Sequence, residues 1–207
     1  MSKNSTRTAP QQIRSQQRVD LILDTAAVLF SESGYENAST NAIAERAGIS
    51  IGSLYRYFPD KDAILRALAG RYRAEMLALY DQVFTRDVVY LPLPVLIDRL
   101  IDPFLEKHLN SPVYTHILLG ADVSPEIASA SRELEAESIR RTVELFLLLV
   151  PQMEEQRARL SATVVKAIIK SLISSLGTSS DADYQQQIIL EFKRVLLAYV
   201  ENTLRSG

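Results

Sequence analysis

The sequence predicts an all-α chain of about nine helices. A small N-terminal three-helix domain is followed by a larger C-terminal helical domain. Three observations predict it. Apolar residues recur at helical spacing through most of the chain, no segment reads as a period-two strand, and Gly and Pro fall between the periodic stretches. With 207 residues, 47% of them hydrophobic and 23% charged, the composition is that of an ordinary globular chain.

The elements follow in order. Val19, Ile22, Leu23, Ala26, Ala27 and Phe30 make one apolar stripe, so a first helix is expected over 16–33. Gly34 stands where a left-handed C-terminal cap is wanted, with Tyr35 directly after it. Two short helices, 40–47 and 51–58, are joined by Gly48-Ile49-Ser50. Asp60 is placed to cap a long helix from Lys61 to about Phe84, with Ile64, Leu65, Leu68, Tyr72 and Met76 on one side. Pro92 and Pro94 open a helix to Asn110, and Ser111-Pro112 opens a short one ending near Gly120. Another starts at Ser124-Pro125 and runs to Val150, and Pro151 separates it from a helix ending near Leu176. Residues 177–180 make a turn, and Asp181 caps a last helix to about Arg205. The expected division is a flexible basic arm over 1–14, a domain over 15–75 and a second over 76–207.

Charge is divided along the chain. The net value is −2, yet residues 1–75 hold 10 Lys and Arg against 8 acids, while the remainder holds 13 against 17. Such asymmetry points weakly to an acidic partner for the first part. There are no cysteines, so disulfide and thiol chemistry are excluded. The longest aliphatic and aromatic run, Leu145–Val150, is far short of a membrane span. The first residues carry charge without an apolar stretch, which is the expectation for a cytoplasmic chain with no membrane partner.

Residues 39–58 carry the most specific pattern. Two short helices around a Gly-containing turn make a helix-turn-helix arrangement. Ile43, Ala44 and Ala47 form an inner face, Gly48 supplies a positive φ, Ile49 plugs the corner and Ser50 caps the second helix. With Leu54 inward, helical geometry turns Gly52, Tyr55 and Arg56 outward and Ser53 to the side. That face suits a helix entering a major groove. Arg56 fits a guanine edge and the Tyr55 and Tyr57 hydroxyls fit phosphates, with Thr40 and Lys61 flanking the duplex at helix starts.

This stretch closely resembles the N-terminal domain of the TetR (tetracycline repressor) family of bacterial transcriptional regulators. The resemblance rests on Ile22, Ala26, Phe30, Gly34 and Tyr35, then Thr40, Ile43, Ala44, Ala47, Gly48, Ile49 and Ser50, then Gly52, Leu54, Tyr55, Tyr57, Phe58, Lys61 and Leu65. It implies DNA contacts at Thr40, Asn41, Ser50, Ile51, Gly52, Ser53, Tyr55, Arg56, Tyr57 and Lys61. Ile51 suits a thymine methyl and Gly52 offers no side chain, which leaves Arg56 and Asn41 for hydrogen-bonded base readout. The resemblance further implies a ligand-responsive repressor on a palindromic double-stranded operator, nucleoid-associated when bound. It would dimerise through its last two helices and be released by a small effector.

For 76–207 the residues show no motif, only unusually apolar helices: 10 of 17 residues are apolar over 160–176 and 10 of 13 over 188–200. Such helices bury one face internally and another elsewhere. Candidate effector contacts are Tyr80, Phe84, Phe104, His108, Tyr114, His116, Phe146 and Met153. The many apolar positions and few convergent charges point to a largely apolar effector; Arg140-Arg141 is a candidate anchor for an acid group, against the ordinary reading of adjacent helix charges as facing solvent. An enzyme is not expected. The two histidines stand eight apart, metal-ligand spacings, a Gly-x-Ser-x-Gly elbow and a phosphate loop are absent, and no metal or cofactor is expected. Glu133, Glu135 and Glu137 with neighbouring arginines read as a solvated helix face. The alternative function is an all-α dimeric interaction module without DNA binding.

Overall fold

The computed structural model describes residues 8–109, 125–176 and 181–206. Among them every regular element is helical, as the periodicity predicts, and the chain forms two compact units, 1–71 and 72–207. The first seven residues of the expected arm, the helix expected over 111–120 and the turn over 177–180 lie outside the described residues.

The first unit begins with α1 (Thr8–Ser33), α2 (Thr40–Arg46) and α3 (Ile51–Tyr55), and α4 (Lys61–Val83) starts within it. The helix α1 begins eight residues earlier than the apolar stripe predicts, so part of the expected flexible arm is helical. Pro10 falls in its first turn, where a backbone N–H has no intrahelical partner to lose. The stripe gave no sign of this because Ile13 is exposed and none of residues 12–18 is buried. The helix α3 is shorter than expected. Past Tyr55 the Tyr57 and Phe58 amides both turn back to the Leu54 carbonyl, and Pro59 follows.

Inward residues are those of the predicted stripes: Ile22, Ala26, Phe30, Ile43, Ala44, Leu54, Phe58, Ile64 and Leu68 are buried. The two left-handed glycines are Gly34 at φ +77° and Gly48 at φ +63°. Polar ties complete the unit. Arg71 bonds Asp24 at 2.7 Å, joining α4 to α1, and Arg46 forks onto Glu32, joining α2 to α1.

In the second unit, the remainder of α4 is followed by a short 3₁₀ turn (Arg86–Tyr90). Then come α5 (Leu93–Leu109), α6 (Pro125–Leu149), α7 (Glu155–Leu176) and α8 (Ala182–Arg205). Asp181 caps α8 as expected, accepting from the Asp183 and Tyr184 amides. One core joins Ile97, Ile101 and Leu105 of α5 to Leu172 and Leu176 of α7 and Ile189 and Leu196 of α8. A second joins Val143 and Phe146 of α6 to Met153, Ala158, Ala162 and Val200. At the edge, Lys193 bonds Asp98 at 2.8 Å and pairs with Asp102, tying α8 to α5. Among the described residues no helix is long and apolar enough to cross a membrane.

Candidate functional site

The helix-turn-helix is fixed by local chemistry at each joint. The Ser39 hydroxyl caps α2, accepting from the Ala42 amide at 3.1 Å, and Ser50 caps α3 in the same way, accepting from Ser53 at 3.1 Å. Between them Gly48 turns the chain, and the Ile49 amide reaches back to the Ala44 carbonyl at 3.0 Å. Leu54 is 0% exposed, whereas Ile51 and Tyr55 on the other side of the same short helix are 36% and 50% exposed. Gly52 and Arg56 are exposed with them. A Cβ added at Gly52 would meet nothing within 4 Å, so the outer face of α3 is open.

Thr40 Oγ1 and the Tyr55 hydroxyl lie 3.2 Å apart, joining the start of α2 to the end of α3. Asn41 is exposed beside Thr40. Ser50 is present at the expected place, with its oxygen already accepting the capping bond. Lys61 departs most from the sequence reading. Its ammonium donates to the carbonyls of Tyr35 at 2.7 Å and Glu36 at 3.2 Å and lies 4.2 Å from the Tyr35 ring centroid. The Tyr35 hydroxyl in turn donates to Asp62, and burial together with that carboxylate raises its pKa. Lys61 thus holds the loop after α1 against the start of α4. By contrast Arg14, Arg18 and Arg56 make no ion pair among the described residues, while Arg46, Arg66 and Arg71 do.

The second unit contains a cavity of about 100 Å³. Five of the eight residues singled out from sequence line it: Tyr80, Phe84, Phe104, His108 and Phe146. Met153 does not. It is buried in the core with Val150 and Ala158, because the turn after α6 folds it under α7. Tyr114 and His116 lie outside the described residues. Sequence reasoning missed Tyr72, Met76, Ser138, Thr142 and Lys166, which also line the cavity. The charge of Lys166 on the otherwise apolar stretch 160–176 was the available signal, whereas Ser138 and Thr142 sit among the charged residues of α6 and carried none.

Polar contacts in this cavity are few and defined. His108 Nδ1 lies 2.7 Å from the Phe104 carbonyl, which can only accept, so Nδ1 carries the proton and Nε2 accepts from the Tyr72 hydroxyl at 3.2 Å. Burial lowers the His108 pKa, and Lys166 and Lys107 add to the effect. Burial raises the Tyr80 pKa, partly offset by a hydrogen bond with Ser138. Arg140 and Arg141 are not available as an acid anchor. Arg140 pairs with Glu137 and Glu144, and Arg141 pairs with Glu137 and Asp81. Their hydrogen bonds hold the Glu137 carboxyl at about 2, that of Arg140 contributing most. Two of the three acids of the cluster on α6 are therefore ion-paired, Glu137 to the two arginines and Glu133 to Arg73 at 2.7 Å.

A capped two-helix turn presenting an open face on its second helix defines a helix-turn-helix protein. Comparison with known proteins gives the family. Residues 22–68 match the model of bacterial regulatory proteins of the tetR family. Residues 92–199, just over half of the chain, match the tetracyclin repressor-like C-terminal domain. The chain belongs to the TetR family of transcriptional regulators and is not an enzyme. Among relatives, the HTH-type transcriptional repressor KstR of Mycolicibacterium smegmatis is 32% identical over 104 residues, 50% of this chain and 51% of that protein. The HTH-type regulator YuxN of Bacillus subtilis is 41% identical over 66 residues, 32% of this chain and 20% of that protein. The chain thus spans about half the length of the first relative, or less for the second. A transcriptional regulator from Saccharomonospora viridis, crystallised with choline, shares the fold with a TM-score of 0.70 at 21% identity, over 90% of this chain and 96% of its own.

Proposed function

We propose that the chain is a repressor that binds a palindromic DNA operator as a homodimer and is released by a small, largely apolar effector. In this reading residues 15–75 form the DNA-binding head and 76–207 the part that pairs and senses. The observation that carries it is the exposed face of α3, where Ile51, Gly52, Tyr55 and Arg56 stand opposite the buried Leu54. Arg56, free of ion pairs among the described residues, reads a base edge, with Asn41 beside it, and Ile51 meets a thymine methyl. Thr40, Ser50, Ser53, Tyr55, Tyr57 and Lys61 supply contacts to the phosphates.

Dimerisation is supported by the outer faces of α7 and α8. Leu160 is 63% exposed and Val195 53%, with Val164 and Leu190 also open. Val164, Ile168, Ile188, Phe192 and Val195 line one apolar groove between the two helices. A contiguous apolar face of this kind on a subunit marks an association surface. Two half-sites of a palindrome lie about 34 Å apart, one turn of duplex, and reading both requires two heads. An effector reading is supported by the cavity, comparable with the engineered apolar cavity of about 150 Å³ that holds benzene. Selection of bound sequences from a random duplex pool tests the proposal. An enriched palindrome with salt-sensitive binding is expected, and recovery of no palindrome overturns it.

A further inference from the structure

Lys166 stands apart from every other cation of the described residues in its surroundings. It is half-buried on α7 and lines the cavity whose other walls are Phe104, Phe146, Leu96, Ile97 and their neighbours. Among the described residues it makes no hydrogen bond and no ion pair. Burial lowers the Lys166 pKa and the like charge of Lys170 adds to it, while Glu135 on α6 is near enough to act in the other direction without reversing the shift. A lysine in such a wall costs stability relative to an aliphatic side chain of similar length, since its charge is desolvated and bonded directly to no carboxylate. Perturbed ionisable groups of this kind in a cavity mark functional sites.

The remaining chemistry of the cavity selects the sign and size of the missing partner. No aspartate or glutamate lines it, so a cationic ligand finds no counter-charge there among the described residues. His108 is held neutral, with one nitrogen committed to the Phe104 carbonyl and the other to the Tyr72 hydroxyl. It therefore adds no second positive charge. Arg140 and Arg141 are spent on Glu137, Glu144 and Asp81. One ammonium, a compact point charge, matches one negative charge, whereas a phosphate dianion would leave a charge unmatched.

We propose that the cavity takes a small amphipathic organic acid, whose carboxylate pairs with the Lys166 ammonium while its hydrocarbon part packs among Phe104, Phe146, Leu96 and Ile97. The inference rests on the reading of this cavity as the effector site, and it names the class of effector. Capture of the acid gives Lys166 a direct ion pair, which Glu135 does not supply among the described residues. Neutral molecules of the same shape gain the apolar contacts alone.

Calorimetric titration of the full chain at neutral pH tests this, using butanoate, hexanoate, octanoate and phenylacetate against butanol, hexanol, octanol and phenylethanol. At least one acid should bind roughly tenfold or more tightly than its alcohol. Lys166→Met keeps an unbranched side chain one atom shorter and removes its charge. It should weaken the acid by roughly tenfold to a hundredfold and leave the alcohol within a few-fold. Lys166→Gln, whose polar end tolerates the same site, gives the same comparison if the Met variant does not fold, with thermal melts reporting folding of both. Equal binding of acids and alcohols, unchanged in the folded variant, overturns the acid inference and leaves an apolar effector site standing. Binding of no compound in either set overturns the effector site and this inference together.

Discussion

Arg56 and Lys61 show how two cations close in sequence acquire different work. Arg56 lies one residue past the end of α3, exposed and without an ion pair among the described residues, so its guanidinium is free for a base edge. Arg56→Ala should weaken operator binding by about 1–3 kcal/mol and relax one base position, as fluorescence anisotropy with single-substituted operators would show. Lys61 already donates to two carbonyls of the loop after α1. Lys61→Ala should weaken every duplex alike and also lower the melting temperature; a variant with unchanged melting would contradict the structural tie. His108 gives a pH signature. Burial lowers its pKa below the ordinary value of 6.5, so the unfolded chain takes up its proton first as pH falls. Its contribution to stability is full above pH 6.5 and is lost as pH drops from there toward the folded-state pKa. Urea melts should show that loss in the parent chain and a shallower one in His108→Phe. An identical slope in both would mean that the proton is taken up elsewhere.

At the scale of elements, the two glycines of the helix-turn-helix separate folding from docking. Neither meets a neighbour within 4 Å when a Cβ is added, so crowding is not involved at either. Gly48 has φ +63°, and Gly48→Ala should therefore cost about 1–2 kcal/mol in denaturant melts through backbone strain alone. Gly52 sits in the interior of α3 with no positive φ, so Gly52→Ala should leave stability unchanged or raise it by up to about 1 kcal/mol. If α3 brings its backbone close to the duplex, that same variant loses operator affinity; retained affinity would place the close approach elsewhere on the helix. Much of this element was legible beforehand. The positions of Gly48, Ser50 and Leu54 are set by bonds to residues within five positions, and short-range spacing encodes such bonds. The start of α1 was not legible, because polar residues such as Gln12 and Gln16 leave no periodic apolar mark whether helical or not.

For the whole molecule, the question is what the exposed apolar face of α7 and α8 meets. In the proposed dimer the net charge of −2 doubles, and so does the small basic excess of the head. That excess is modest, which puts the weight of DNA affinity on placed contacts rather than on bulk charge. Val164 and Val195 are exposed on the subunit, so the double variant V164E/V195E should fold. Burying two carboxylates per subunit in an apolar interface is costly, and sedimentation should find a monomer with operator affinity reduced by orders of magnitude. A dimer that survives both substitutions would place the interface on another surface.

The helical class, the stripes that face inward in the first unit and the helix-turn-helix with its caps are all readable along the chain. Each of these depends on residues a few positions apart along one chain. What the second unit encloses is set by packing between helices. Lys166 and Lys170 share one stripe at i, i+4 in the sequence, yet Lys166 lines a cavity and Lys170 is exposed. Met153, bulky and apolar like the true lining residues, is folded into the core instead. Arg140 and Arg141, adjacent charges that in the sequence fit either an acid anchor or a solvated face, are matched by carboxylates, Asp81 among them some 60 positions away. Which face of a helix meets a cavity, and which charge finds a partner, depends on neighbours distant in sequence, and helical periodicity along a single element carries no record of them.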